Sequence, residues 1–254
     1  MVNIVLEYIN YCMNSKKRHG IHSPFIYELS DFLSKKQISK DLKFQRKAFY
    51  KKYLEDETEI SITDIGAGSK KMENKRKICD IFKNSSSKGK TADFLYKLSL
   101  FTKPKRILEL GTSLGVGTFH LKKGSPTAEL ITIEACEKTL KKAKEGLGLA
   151  GIEADFHLAS FEAYIKHKIT GSFDIIYIDG HHDGNALLRY ITLLLPYANP
   201  ETMFIIDDIR WSKSMFDAWK KVINSKDFHV TIDFFRFGIA FQRKHQEKEH
   251  FVLR

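Results

Sequence analysis

This 254-residue sequence is poor in cysteine, with only Cys12, Cys79 and Cys136, an odd number at wide spacing. A disulfide-stapled secreted domain or a zinc knuckle needs more cysteines at closer spacing, so we expect reduced thiols and a cytoplasmic location. No apolar run approaches the roughly 20 residues that cross a bilayer. The apolar N-terminal stretch lacks a basic leader and contains Glu7, so we expect no signal peptide.

Acidic residues are scarce in the first part of the chain only. Residues 1–105 hold 22 Lys and Arg against 12 Asp and Glu, whereas the remainder is nearly balanced. Such a basic segment either binds an acidic partner, for example nucleic acid, or forms a solvated lysine-rich surface. The solvated surface is the simpler interpretation. The chain also has no recognised RNA-binding signature and no internal repeat.

One stretch, from Ile107 to Thr118, combines an apolar strand with a glycine-rich turn and the start of a helix. The strand ends near Glu109, and the turn contains Gly111 and Gly115. Glycine allows a backbone to approach a ligand where a Cβ would collide, and the following helix presents unpaired N–H groups. Glu109 is then placed to bond an ammonium or hydroxyl group of a ligand.

A second acid-ended strand at residues 130–134 follows at about the distance, some 20 residues, that nucleoside-binding α/β folds use. In those folds the acid at the position of Glu134 bonds ribose hydroxyls. Residues 60–69 also imitate a strand and a glycine turn. Because no acid-ended strand follows them at the needed distance, we reject residues 60–69 as the ligand-binding turn.

From residue 106 onwards strands and helices alternate, which is typical of a doubly wound, mostly parallel sheet. The further strands that we expect are 154–158, 173–179, 203–208 and a pair within 229–241. Residues 1–55 and 91–101 have helical spacing, and 56–90 is expected to be a flexible segment or lid. The charged run 243–249 is expected to be solvated.

These motifs resemble the class I S-adenosylmethionine-dependent methyltransferases, most closely the small O-methyltransferases of the catechol and caffeoyl-CoA type. Their first motif is approximately Leu-Glu-x-Gly-x-x-x-Gly-x-Ser/Thr. Leu108, Glu109, Gly111 and Gly115 follow this pattern, and Thr118 follows it one place late. The resemblance covers residues 91–242, whereas residues 1–90 match no substrate domain.

The resemblance implies a Rossmann-like, doubly wound, mostly parallel seven-stranded sheet with an antiparallel last strand, preceded by an N-terminal helical extension. The implied domains are a helical cap and flexible segment at 1–90 and an S-adenosylmethionine-binding domain at 91–254. The implied function is methyl transfer to an oxygen of a small molecule. The expected cofactor-binding residues are Glu109, Gly111, Thr112, Ser113, Gly115, Glu134, Ser160 and Asp179.

Acids also follow the later strands, at Asp179 and at Asp207 with Asp208. Because the carboxyl ends of neighbouring parallel strands lie close together, we expect these carboxylates to meet beside the transferred methyl group. Three close carboxylates take up a proton or need a cation. A divalent cation such as Mg²⁺, held by all three, is one interpretation.

Two other interpretations of this cluster stay open. An oxygen nucleophile must lose its proton, and a neutral histidine is a suitable base near pH 7. Asp179, His181 and His182 are therefore candidate catalytic residues, and the caffeoyl-CoA-type relatives have a lysine in place of His182. Alternatively, Asp207 and Asp208 have a structural role in the turn that they begin.

Competing functions are a nucleic-acid methyltransferase that uses the basic N-terminal segment and a non-catalytic nucleotide-binding α/β module. The chain lacks the Asn/Asp-Pro-Pro-Tyr/Phe pattern that binds a flipped base, which disfavours the first alternative. The glycine spacing disfavours a nicotinamide oxidoreductase. A homodimer is a further open expectation.

Overall fold

The computed structural model describes residues 4–15, 22–63, 73–85 and 88–254. The chain divides into two units, which we call the middle unit, Lys35–Tyr164, and the flanking unit, Met1–Ser34 with Ile165–Arg254. The helices in the described ranges are α1 Ile4–Asn14, α2 Pro24–Lys35, α3 Lys40–Leu54, α4 Ile78–Ser85, α5 Lys90–Thr102, α6 Val116–Gly124, α7 Glu137–Leu149, α8 Phe161–His167, α9 Gly184–Leu194 and α10 Lys213–Asn224.

The strands are β1 Glu59–Thr63, β2 Glu73–Lys77, β3 Arg106–Leu110, β4 Glu129–Glu134, β5 Asp155–Leu158, β6 Phe173–Ile178, β7 Ala198–Ile206, β8 Val230–Phe234, β9 Phe237–Phe241 and β10 Glu249–Val252. β3 to β10 form a mostly parallel sheet of eight strands, and β1 and β2 form a separate antiparallel pair. The predicted α/β class is therefore confirmed. None of the described helices has both the length and the apolar content to cross a bilayer.

In the middle unit, β3, β4 and β5 run parallel in that order. β3 and β4 are buried along almost their whole length, as their runs of apolar residues predict. A core of aromatic and aliphatic side chains joins α3, α4, α6 and α7, with Phe49 stacked on Phe119 at a centroid distance of 4.6 Å. This packing fixes α6, the helix that follows the glycine-rich turn.

In the flanking unit, β6 and β7 are parallel, and β9 lies antiparallel between β7 and β8. This placement agrees with the expected antiparallel strand. α1 is attached through Tyr11, whose hydroxyl donates to the carbonyl of Leu253, and through Glu7, which lies 3.8 Å from Nε of Arg210. Asp233 accepts two further bonds from the same guanidinium.

The described parts of residues 56–90 contain more regular secondary structure than the sequence predicts. β1 and β2 pair from Glu59 with Lys77 to Thr63 with Glu73, and α4 follows directly. Cys136 Sγ approaches the Ser61 carbonyl oxygen at 3.8 Å, so β1 packs beside the segment that follows β4. An antiparallel pair is not a strand–turn–helix unit, which agrees with rejecting this stretch as the ligand-binding turn. Residues 64–72 and 86–87 lie outside the described residues.

The expectation of a solvated tail at 243–249 is wrong in part. The Arg243 side chain is buried, pairs with Glu201 and lies over the Phe25 ring. Beyond it, β10 pairs parallel with β8, which gives the sheet eight strands instead of the expected seven. Aromatic contacts and backbone pairing thus offset the cost of ordering a charged segment. The division into domains at residue 90 stays a prediction.

Candidate functional site

The glycine-rich turn of the middle unit is held to β4 by its own backbone. The N–H groups of Gly111 and Thr112 donate to the Ile133 carbonyl at 3.0 and 3.2 Å. Gly111, Ser113 and Gly115 have φ angles of 108°, 47° and 77°, in the region that favours glycine. Gly115 is also required by packing, since a Cβ there would meet the Leu147 side chain at 2.6 Å. The chain therefore turns sharply and enters α6 without a side-chain cap on the helix.

Glu134 is bonded to this turn. Its Oε2 accepts from the Ser113 N–H at 2.9 Å, and its Oε1 accepts from Ala135 and Cys136 at 2.9 Å each. A carboxylate offers about four acceptor positions, and these bonds use three of them. The half-buried Glu134 thus keeps capacity for a hydroxyl donor at the expected end of β4. The structure brings the glycine turn and this acid together, as the sequence predicts.

Glu109 lies deeper than the sequence predicts, because its side chain is fully buried. Its Oε2 accepts from the hydroxyls of Thr118 and Thr132, but its Oε1 is buried without a hydrogen-bond partner. Burial disfavours the carboxylate and raises the pKa of Glu109 to about 7, although the two threonine bonds oppose this shift. The chemistry of this buried acceptor, which has no partner among the described residues, fits a donor group such as an ammonium.

The middle unit therefore fits S-adenosylmethionine in the chemistry of its groups. It offers acceptors for an ammonium and a ribose diol, and the N-terminus of α6, which no side chain caps, suits a carboxylate. Thr112 Oγ1 is 2.6 Å from Thr132 Oγ1, so its hydroxyl holds the turn to β4. The Ser160 hydroxyl accepts from the Ala163 N–H at 3.3 Å and so begins α8. Ligand contacts for Thr112 and Ser160 stay predictions.

In the flanking unit, the acids that follow β6 and β7 converge on one tyrosine. The Tyr177 hydroxyl lies 2.8 Å from Asp179 Oδ2 and 3.0 Å from Asp207 Oδ2. Burial, followed by the negative charge of Asp207, raises the pKa of Asp179 well above its ordinary value. Burial and Asp207 likewise raise the pKa of Asp208, which Arg236 and His182 partly oppose. The predicted convergence of the three carboxylates is thus found within this unit.

The positive charge in this cluster comes from Arg236, which the sequence analysis missed. Its guanidinium contacts both oxygens of Asp207, with Nε 2.7 Å from Oδ1 and Nη2 3.2 Å from Oδ2, and its Nε lies 3.2 Å from Asp208. Among the described residues, no group of three or more His, Cys, Asp or Glu side chains is arranged to hold a metal ion. This arrangement does not fit a divalent cation, because the guanidinium occupies the carboxylate oxygens that Mg²⁺ would need.

The two candidate histidines have different surroundings. His181 has a φ angle of 62°, and its Nδ1 is hydrogen-bonded to the Tyr190 hydroxyl of α9. His182 Nε2 lies 4.0 Å from Asp208 Oδ2, and its ring is 5.5 Å from that of Trp211. Trp211 is 68% exposed, so it presents an aromatic surface beside His182. His182, Asp208 and Trp211 together form a histidine–acid pair next to an aromatic face.

Two of the missed residues carry signals in the sequence. Tyr177 lies two residues before Asp179, so an extended strand places both side chains on the same face. Arg236 lies in the turn between β8 and β9, and Gly238 of β9 pairs with Ile206 of β7. An antiparallel strand beside β7 therefore brings the start of β9 close to Asp207. The pairing of Tyr190 with His181 has no comparable local signal.

Comparison with known proteins agrees with this geometry. A family model described as a methyltransferase domain matches residues 108–209. The chain is 30% identical to O-methyltransferase hkm8 of Aspergillus hancockii over 136 residues, 51% of this chain and 54% of that protein. It is 28% identical to the catechol O-methyltransferase of Niastella koreensis over 131 residues, 49% of this chain and 57% of that protein. The match thus spans about half the length of these curated relatives.

Solved structures show the same fold. The crystal structure of an O-methyltransferase from Bacillus cereus in complex with SAH covers 84% of this chain and 96% of that chain, with a TM-score of 0.56 and 17% identity. The likeness at this identity concerns the fold alone. The comparisons confirm the resemblance predicted from the sequence: residues 108–209 match a methyltransferase-domain model, and the chain resembles O-methyltransferases of the S-adenosylmethionine-dependent class.

Proposed function

We propose that this chain is an S-adenosylmethionine-dependent O-methyltransferase of small molecules. The observation that carries this proposal is the glycine turn fixed to Glu134 with the unsatisfied Oε1 of Glu109 beside it. These groups offer anionic acceptors for an ammonium and a ribose diol, which is the chemistry of the cofactor. The names of the curated relatives support an aromatic diol as the first acceptor to test.

When bound, S-adenosylmethionine supplies an activated methyl group, so the residues of the chain have to bind, orient and deprotonate the acceptor. We propose that His182 removes the proton from the acceptor hydroxyl. The Asp208 carboxylate, 4.0 Å away, stabilises the imidazolium that this transfer forms. The exposed ring of Trp211 provides a stacking surface for an aromatic acceptor.

The remaining groups of the flanking unit position this pair in the proposal. Arg236 balances the charge of Asp207 and approaches Asp208, so Asp208 stays beside His182. Tyr177 bridges Asp179 and Asp207 and limits their mutual repulsion. Tyr190 holds Nδ1 of His181, which makes His181 the second candidate for the base. No step in this proposal uses a metal, and nucleic acid and a homodimer are not required.

Calorimetric titration of the full chain with S-adenosylmethionine and with NAD tests the cofactor. We expect saturable binding of S-adenosylmethionine and none of NAD, and the reverse result would overturn the proposal. Binding without methyl transfer to catechol or to other small hydroxylated acceptors would instead favour the non-catalytic module.

Methyl transfer after exhaustive chelation, with and without restored Mg²⁺, tests the base. We expect full activity in the chelated enzyme and its loss in His182→Ala. His181→Ala serves as the comparison, because its partner is Tyr190 instead of an acid. Activity that returns only with Mg²⁺ would restore the metal interpretation of Asp179, Asp207 and Asp208. Loss in His181→Ala alone would transfer the role of base to His181.

A further inference from the structure

The middle unit carries a surface groove of about 450 Å³, formed by α3, the end of α6 and the end of α7. None of the residues that line it belongs to the glycine turn or to its acids. Its volume lies within the range of about 300–1,000 Å³ that is typical of small-molecule sites. The lining residues are Phe44, Gln45, Ala48, Phe49, Lys52, Lys123, Gly146, Leu149 and Ala150.

The apolar part of the groove is unusually exposed. Phe44 is 74% exposed and Leu149 is 81% exposed, although both are large hydrophobic side chains. Single exposed apolar residues are common on protein surfaces, but here two of them line one concave surface that also contains Phe49. The free energy falls when an apolar group displaces water from such a surface.

The walls of the groove are held in place by contacts outside it. Phe49 stacks on Phe119 with an interplanar angle of 6°. The Tyr53 hydroxyl donates to the Lys142 carbonyl at 3.2 Å, and Nζ of Lys142 pairs with Asp56 at 2.7 Å, so α3 is fixed to α7. A ligand would therefore meet a largely pre-formed site, which lowers the entropic cost of binding.

The charge of the groove has one sign. Lys52 and Lys123 line it, and no acid does so. The Lys123 ammonium lies 5.5 Å from the centroid of the Phe119 ring. Within the part of the chain that the structure describes, neither ammonium forms an ion pair with a carboxylate. An apolar body with an anionic group would complement both features at once.

We propose that this groove is a binding site for a small amphiphilic anion. Its apolar body packs against Phe44, Phe49 and Leu149, and its carboxylate or sulfonate group contacts Lys52 and Lys123. This site is independent of the proposed methyl transfer.

Fluorescence titration of the full chain with anilinonaphthalene sulfonate tests the proposal, and the uncharged phenylnaphthylamine is the matched probe. We expect saturable binding of the sulfonate, weakened by at least about fivefold in the Lys52→Gln/Lys123→Gln double variant through loss of two screened ion pairs. The uncharged probe should bind this variant as it binds the wild type. Leu149→Ser should weaken the binding of both probes.

The control is Lys43→Gln/Lys47→Gln, which also removes two positive charges but at residues of α3 that do not line the groove. Far-UV circular dichroism and thermal unfolding establish that every variant is folded. The proposal is overturned if the control weakens sulfonate binding as much as the groove variant does, or if Leu149→Ser has no effect. It is also overturned if sedimentation shows a dimer that Leu149→Ser converts to a monomer, because a second copy would then occupy the groove.

Discussion

Replacing Glu109 by glutamine should make the protein more stable above neutral pH. The native Glu109 carboxyl has a pKa of about 7, compared with its ordinary value of 4.5, because its side chain is fully buried. Between these two values the folded state binds a proton that the unfolded state does not bind. The contribution of this group to the free energy of unfolding is therefore largest at low pH and is lost as the pH rises through about 7.

The size of the effect follows from the shift in pKa. At about 1.4 kcal/mol for each unit, the difference between pH 5 and pH 8 amounts to about 2–3 kcal/mol. Glutamine keeps the shape and an acceptor oxygen for Thr118 and Thr132 but carries no charge. We therefore compare the free energy of unfolding of Glu109→Gln with that of the wild type. The difference in favour of the variant should be about 2–3 kcal/mol larger at pH 8 than at pH 5.

Urea unfolding of both proteins at pH 5 and pH 8 measures this difference. Glu137→Gln, which removes an exposed carboxyl group from the first turn of α7, is the control variant. A Glu109→Gln difference that varies by less than about 0.5 kcal/mol between the two pH values would refute the argument.

The same variant separates stability from ligand binding. If Glu109 accepts a bond from the ammonium of S-adenosylmethionine, the affinity of the wild type should fall as the pH decreases from 7.5 to 5.5, because the carboxyl becomes neutral. Glu109→Gln should lose about 1.5–3 kcal/mol of affinity at pH 7.5, the range for a hydrogen bond to a charged group. A stabilised variant with unchanged affinity would confine Glu109 to a structural role.

Three further predictions follow from the site. Gly111→Val should abolish S-adenosylmethionine binding in calorimetry, because the turn needs a φ of 108° and a close approach of the backbone to the ligand. The circular dichroism spectrum should stay native. Unchanged affinity would exclude the turn as the cofactor site. Glu134→Ala should cost about 1.5–3 kcal/mol of the same affinity, and equal binding by this variant and the wild type would show that β4 does not supply the ribose acid. Arg236→Ala should lower the free energy of unfolding at pH 7 by about 2 kcal/mol, because it leaves the buried Asp207 without its cation. Arg236→Lys should restore part of this loss. A wild-type urea midpoint in Arg236→Ala would contradict the role given to Arg236.

Local sequence patterns determined the order of the strands and helices. β3, Arg106–Leu110, lies within one residue of the strand that the apolar run predicts, and α6 begins directly after the second glycine of the turn. These features depend on the period of apolar residues and on glycine geometry, which act over a few neighbouring positions. The contact of Glu134 with the glycine turn was also predictable, because parallel strands place their carboxyl ends at one edge of the sheet.

Other features depend on residues far apart in the chain. Charge alone made residues 243–249 look solvated, but Arg243 is buried against Phe25 and Glu201. The composition of 56–90 suggested a flexible segment, but β1 gains a partner in β2 and packs beside α7. In each case the contacts that offset the entropic cost of ordering come from distant residues, which no local pattern contains.

The sequence by itself determined the α/β class, the glycine-rich turn and the acids at the strand ends. The tertiary structure alone decided the protonation and pairing of those acids. It buried Glu109 between Thr118 and Thr132, placed Arg236 against Asp207, and brought Lys52 and Lys123 to one groove. Burial and charge pairing shift the free energy of an ionisable group by several kcal/mol, and both depend on long-range packing, so residue types and spacing do not fix them.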